Sequence, residues 1–189
     1  EYIGACLASL VAADTAGAQL TVLVCDGMSD DGTRAIIEDW SRRHPFIRLV
    51  YNPARTTPQA MNLGLKAVPF DYGMILGAHA EVGSGYIADC IRALRTDTSL
   101  GCAGGLIVNR YGNDASRAIG AAMGHPFGVG GARFRTGGQE GNVDTVAFGV
   151  YRKEVFERVG WFDEDLVRNQ DDEFNFRVTS AGFRIRFLP

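Results

Sequence analysis

The sequence predicts an α/β protein: one domain with a mostly parallel, Rossmann-like sheet flanked by helices. Three observations carry this. Short β-rich runs such as Thr21-Val22-Leu23-Val24-Cys25 alternate with stretches whose apolar residues recur at helical spacing. The runs are unbroken rather than alternating, which suits strands buried on both faces. At 189 residues the chain can bury one sizeable core but not comfortably two, so residues 1–189 are read as a single domain.

Ile3, Leu7, Leu10 and Val11 give an amphipathic first helix, and because the chain opens inside that pattern a segment is expected upstream. Residues 21–25 form a buried strand that ends in the turn-rich acidic loop 26–33. A helix with Ile36, Ile37 and Trp40 inward follows, then a strand from Ile47 to Tyr51 closed by Asn52-Pro53. Gln59–Val68 reads as helix and Tyr72–Leu76 as a strand running into Gly77-Ala78-His79-Ala80-Glu81. Another helix carries Ile87, Ile91 and Leu94, and a strand is expected at Leu106-Ile107-Val108. Between Gly112 and Asn142 the rhythm breaks into Gly-rich sequence, and a loop this long in a compact domain is usually functional or disordered. Val143–Tyr151 resumes as strand, Val155, Phe156 and Val159 suggest a short helix, and Phe183–Leu188 is a final strand. Between those last two lies the densest acidic cluster, Gln170-Asp171-Asp172-Glu173, at the head of a helical run. Carboxylates there gain from the helix dipole, typically under about 1 kcal/mol each, so the cluster alone does not separate capping from chemistry.

Composition narrows the functional classes. A net charge of -3 argues against a nucleic-acid surface, which needs a basic excess. Cys6, Cys25, Cys90 and Cys102 show no C-x-x-C pairing and lie in apolar runs, so they read as reduced core thiols of a cytoplasmic protein. No apolar run approaches the roughly 20 residues that span a bilayer.

In parallel α/β sheets ligands bind beyond the carboxyl ends of the strands. Asp26 and His79 both stand at such ends. Asp31 can cap the following helix and Gly32 eases the turn, whereas the role of Asp26 stays open. His79 and Glu81, two residues apart in an extended segment, can face one side and supply part of a divalent-metal site.

The segment Val24-Cys25-Asp26-Gly27-Met28-Ser29-Asp30-Asp31-Gly32-Thr33 resembles the "V-D-D-G-S-x-D-G-T" stretch of family 2 glycosyltransferases. Asn52 through Asn62, then Gly64-Leu65, resembles their "N…A-x-N-x-G" stretch. Gly160-Trp161-Phe162-Asp163-Glu164 followed by Gln170-Asp171-Asp172-Glu173 and Arg177 is similar to their "G-x-F-D-E … E-D-x-D-L-x-x-R" signature. The wording of the last part is nearest to bacterial exopolysaccharide enzymes of the succinoglycan-building type.

The resemblance implies a GT-A fold and an inverting transfer from a UDP-sugar, UDP-glucose foremost, to a polysaccharide or lipid-linked oligosaccharide. By this match Asp171 is the general base, with Asp172 beside it as the alternative. Asp26, Gly27, Ser29, Asn62, Ala78 and Arg177 fall on nucleotide-sugar contacts, Arg177 either meeting a phosphate or holding the acidic cluster in place. A divalent cation, Mn2+ or Mg2+, is implied, with His79 and Glu81 as ligands, although Gly77-Ala78-His79 departs from the family's D-x-D motif. His125, Arg133 and Arg135 occupy the acceptor region and suit a saccharide or lipid-diphosphate carrier. That carrier would bring peripheral membrane association, at the cytoplasmic face of a bacterial inner membrane. The family's first strand is missing ahead of Glu1, and a continuation is expected after Pro189. Two other readings stand beside this one: a sugar nucleotidyltransferase, and a non-catalytic nucleotide-sugar binding module suggested by Gly77.

Overall fold

A computed structural model describes residues 2–110, 114, 120, 132–166 and 168–189. The first helix, α1 (Ile3–Val11), buries Ile3, Cys6, Leu7 and Leu10, the face that the spacing predicts. Strand β1 (Val22–Asp26), helix α2 (Thr33–Arg43) and strand β2 (Ile47–Tyr51) then form a βαβ unit. Its strands pair in parallel, Val22 beside Ile47 and Asp26 beside Tyr51. Ile37 of α2 is fully buried against this pair, while Ile36 faces outward.

Helix α3 (Thr57–Lys66) lies against β1, made possible by Gly64: a Cβ there would sit 3.1 Å from Cys25 Sγ. Strand β3 (Tyr72–Met74), helix α4 (Tyr86–Thr96) and strand β4 (Leu100–Gly104) follow. Beyond them come the short helix α5 (Arg133–Thr136), strands β5 (Gly141–Val143) and β6 (Val150–Arg152), and helix α6 (Lys153–Val159). The acidic helix α7 (Gln170–Ser180) and strand β7 (Arg184–Phe187) complete the described elements. The second sheet runs β3-β6-β4-β7-β5.

The α/β architecture follows the sequence, but strand direction does not. Pairs β1–β2 and β4–β7 are parallel; β3–β6, β4–β6 and β5–β7 are antiparallel. The sheet is therefore mixed, because β6 returns between β3 and β4 in the opposite sense. Two strand assignments also change. The strand expected at Leu106-Ile107-Val108 lies earlier, at Leu100–Gly104, and Val108 is 78% exposed. Packing selected the less β-prone run: a Cβ on Gly101 or Gly104 would lie 2.8 Å from Val155 or Val146, so only small residues let this strand be covered so closely. The run expected as one strand over 143–151 breaks into β5 and β6, which pair with different partners. The break is at Phe148, whose φ of 52° is left-handed, and at Gly149, where a Cβ would collide with Cys102 Sγ. His125 lies outside the described residues.

The main core joins α6, α7 and the sheet through aromatic rings. Phe174 stacks on Phe162 at 4.4 Å and on Phe156 at 5.2 Å between ring centroids, and meets Tyr151 edge-on. This cluster anchors the acidic helix from below.

Candidate active site

Asp26 closes β1 and is only 5% exposed. Its Oδ2 accepts a hydrogen bond of 2.9 Å from the Ser29 backbone N–H, across a turn in which Met28 adopts a left-handed φ of 66°. Asp31 Oδ1 accepts from the Thr33 backbone N–H at 3.1 Å, the helix-entry role expected of it. Its hydrogen bonds from Thr33 hold that carboxyl below its ordinary range. Around Asp26 opens a cleft of about 320 Å³ whose walls include Gly27, Ser29, Ala78 and His79. The tertiary structure thus joins residues 26–29 to residues 78–79, as the strand-end argument requires. Cys25 and Tyr2 also line the cleft, and neither was anticipated.

His79 is exposed, and its ring lies back over Gly77, where a Cβ would be 3.0 Å from the imidazole. A side chain at 77 would displace it. Glu81 is committed elsewhere: its Oε1 accepts from Arg110 at 2.8 Å. Among the described residues no group of three or more His, Cys, Asp or Glu could hold a metal by itself. The donor set present is one accessible imidazole. That fits a divalent cation only where the diphosphate and water complete the shell, which is how Mg2+ and related ions are commonly held.

The acidic cluster enters α7 through Asn169, at a left-handed φ of 59°. Gln170 is buried and donates to the Leu166 carbonyl, while Asp171 and Asp172 are exposed. Neither of the two is among the residues lining the Asp26 cleft. Arg177 is spent internally: it forks onto Glu173 at 2.5 and 2.7 Å, donates to the Val159 and Trp161 carbonyls, and lies over the Phe174 ring. Of its two expected roles, the geometry matches that of holding the acidic cluster.

Asn62 is likewise internal. Its amide donates to the Phe162 carbonyl at 2.9 Å and to Glu164 Oε1 at 2.8 Å, and accepts from the Phe162 N–H at 3.0 Å. It thereby fastens α3, which lies on β1, to the turn that leads into α7. Sequence spacing gave no hint of this bridge, which spans 100 residues.

Also unforeseen are Thr145, Tyr151 and Asn175. Thr145 Oγ1 donates to Asp172 Oδ1, and behind it Asn175 and Tyr151 continue the hydrogen bonding into the core. The one available signal was Asn175, a polar residue between Phe174 and Val178 on the inward face of the helix. On the other flank, Arg133 donates to the Gln139 carbonyl and Arg135 lies over the Phe134 ring at 5.2 Å.

Known proteins resemble the chain in sequence and in fold. A protein of Methanococcus voltae, dolichyl N-acetyl-alpha-D-glucosaminyl phosphate 3-beta-D-2,3-diacetamido-2,3-dideoxy-beta-D-glucuronosyltransferase, is 29% identical over the whole chain, which covers 61% of that protein. Succinoglycan biosynthesis protein ExoA of Rhizobium meliloti is 27% identical over 87% of the chain and 50% of its own length. The chain thus spans roughly half of the curated relatives it matches. Among solved structures, Staphylococcus aureus TarS superposes on all of the chain and 33% of its own length, with a TM-score of 0.73 at 17% identity. A mannosyltransferase of Pyrobaculum calidifontis, in complex with GDP-Man and Mn2+, covers all of the chain and 52% of its own, with a TM-score of 0.69 at 22% identity. These two share the GT-A fold. Among the described residues no helix is long and apolar enough to cross a membrane. With the profile of Glycosyl transferase family 2 matching residues 1–160, from α1 through the Asp26 cleft to the end of α6, the chain belongs to glycosyl transferase family 2.

Proposed function

We propose that the protein is an inverting glycosyltransferase that moves a sugar, glucose foremost, from a UDP-sugar to a polysaccharide or lipid-linked oligosaccharide. The observation that carries this reading is the cleft at the end of β1, where buried Asp26 and exposed His79 converge from segments 50 residues apart in a family 2 chain. Asp26, turned by its bond from Ser29, accepts from the base of the nucleotide, and Gly27 and Ala78 leave room for the ligand. His79, with the diphosphate, would hold a divalent cation, Mn2+ or Mg2+, which would supply charge neutralisation at the leaving group. Asp171 takes the proton from the acceptor hydroxyl as its oxygen bonds to the anomeric carbon. The bond from that carbon to the diphosphate breaks with its electron pair, and the configuration inverts. Arg133 and Arg135, with His125 by its place in the sequence, are assigned to the acceptor. The relative from Methanococcus voltae, named for a dolichyl-phosphate-linked sugar, supports a lipid-linked acceptor. We assign the encounter with that acceptor to the cytoplasmic face of a membrane.

Incubation with UDP-glucose, Mn2+ and a glucose oligosaccharide should release UDP and lengthen the oligosaccharide. Asp171→Asn should lower that rate by about 10²–10⁴-fold while UDP binding persists. Full turnover by that variant refutes the base assignment. A second reading, a binding module without catalysis, draws on Gly77 where a metal-binding acid is expected; it requires UDP binding with no transfer at any manganese concentration. Release of diphosphate from a nucleoside triphosphate and a sugar phosphate would instead identify a nucleotidyltransferase.

A further inference from the structure

The acidic pair of α7 stands on a hydrogen-bonded column that the reaction outlined above leaves unused. Tyr151 Oη donates to Asn175 Oδ1 at 2.8 Å, Asn175 Nδ2 donates to Thr145 Oγ1 at 2.8 Å, and Thr145 Oγ1 donates to Asp172 Oδ1 at 3.2 Å. All three donors point toward the carboxylate. Asn175 is fully buried and Tyr151 nearly so. Burying such polar groups is costly unless every one is paired, and apolar side chains would fill the same space without that requirement. The column leads to only one exposed group, Asp172.

Thr145 is itself held from several sides. Its neighbour Val146 is buried in the space that Gly104 leaves by lacking a Cβ. Gly149 abuts Cys102, and the Phe148 carbonyl accepts from Tyr86 Oη at 2.8 Å. The hydroxyl is thus presented from a segment with little freedom to shift. Asp171 and Asp172 precede Asn175 by four and three residues, so both lie one turn beyond it on the helix. Among the described residues, Asp172 is the member of the pair hydrogen-bonded to the column, through one of its two oxygens.

We propose that Thr145, backed by Asn175 and Tyr151, is a positioning residue that fixes Asp172, so that Asp172 aligns the acceptor hydroxyl whose proton Asp171 takes. This division of labour rests on the transferase reading above. Misplacing an aligning group by a fraction of an ångström to an ångström lowers turnover rather than donor affinity.

Thr145→Val keeps the shape and removes the hydroxyl. With UDP-glucose, Mn2+ and a glucose oligosaccharide, kcat should fall about 10–100-fold while the KM for UDP-glucose stays unchanged. Thr145→Ser, which restores the donor, should return most of the rate. In the Asp172→Asn background, adding Thr145→Val should cost little more, because the hydroxyl acts through that carboxylate. If Thr145→Val fails to fold, Thr145→Ala, which removes the hydroxyl with less bulk, is measured in the same way. Wild-type kcat in the Val or Ala variant, or losses that multiply fully with Asp172→Asn, overturn the positioning role and leave the transferase reading standing. A wild-type protein that transfers nothing overturns the reading and the role together.

Discussion

The Asp26 cleft and the acidic helix are built in opposite ways. The cleft at the end of β1 is open, walled by small residues such as Gly27, Ser29 and Ala78, with His79 exposed at its margin. The head of α7 is braced from several sides: Arg177 binds two carbonyls and Glu173, Asn62 binds the 162–164 turn, and Thr145 holds Asp172. The contrast matches what the proposed function would ask of each region. A nucleotide diphosphate brings its own charge and shape and can organise an open cleft around itself. Proton abstraction at an acceptor hydroxyl instead needs carboxylates already in place, because geometry must be set before the bond forms.

If the bracing carries the acidic helix, removing it should damage stability more than any change in the cleft. Arg177→Leu leaves Glu173 and two carbonyls without their donor, and should cost about 3–4 kcal/mol in denaturant unfolding. Arg177→Lys should restore little of this, since a point charge cannot reproduce the fork. Asn62→Leu, close in volume, should cost about 2–3 kcal/mol by leaving the Phe162 N–H and carbonyl unpaired. It should also reduce turnover, since the turn it holds leads into α7. In the cleft, Asp26→Asn should weaken UDP binding about tenfold, roughly 1.4 kcal/mol by titration calorimetry, with a far smaller change in unfolding than the two bracing variants. Smallest of all is Glu81→Gln. Its pair with Arg110 is mostly exposed and worth at most about 1 kcal/mol, so both stability and manganese response should be nearly unchanged. A loss of manganese response would return Glu81 to the metal site. Should Asp26→Asn prove as destabilising as Arg177→Leu, the contrast between the two regions would fail.

Much of this was legible in the sequence where the signal is local. The helical spacing of Ile3, Leu7 and Leu10, the unbroken run ending at Asp26, and the capping pattern at Asp31 all depend on residues a few positions apart. Family membership was legible too, through three motifs in order. Less legible was β4, where Gly101 and Gly104 looked unlike a strand because their value is in contacts with Val155, Phe183 and Val146, far along the chain. Arg177 was read with two roles and Asn62 as a ligand contact. Their partners at 159–164 are visible only once α3, α6 and α7 have packed together.

What the sequence alone determined is the order of the elements and the identity of the acidic, histidine and glycine positions from which a site could be assembled. Only the tertiary structure decided strand direction in the second sheet, the convergence of residues 26–29 with 78–79, and which polar side chains serve as braces. The physical reason is one of range. Backbone propensity, capping and periodicity act within a turn or a strand, whereas a buried amide such as Asn62 or Asn175 takes its role from partners 24 to 102 residues away, whose approach is settled by the packing of the whole core.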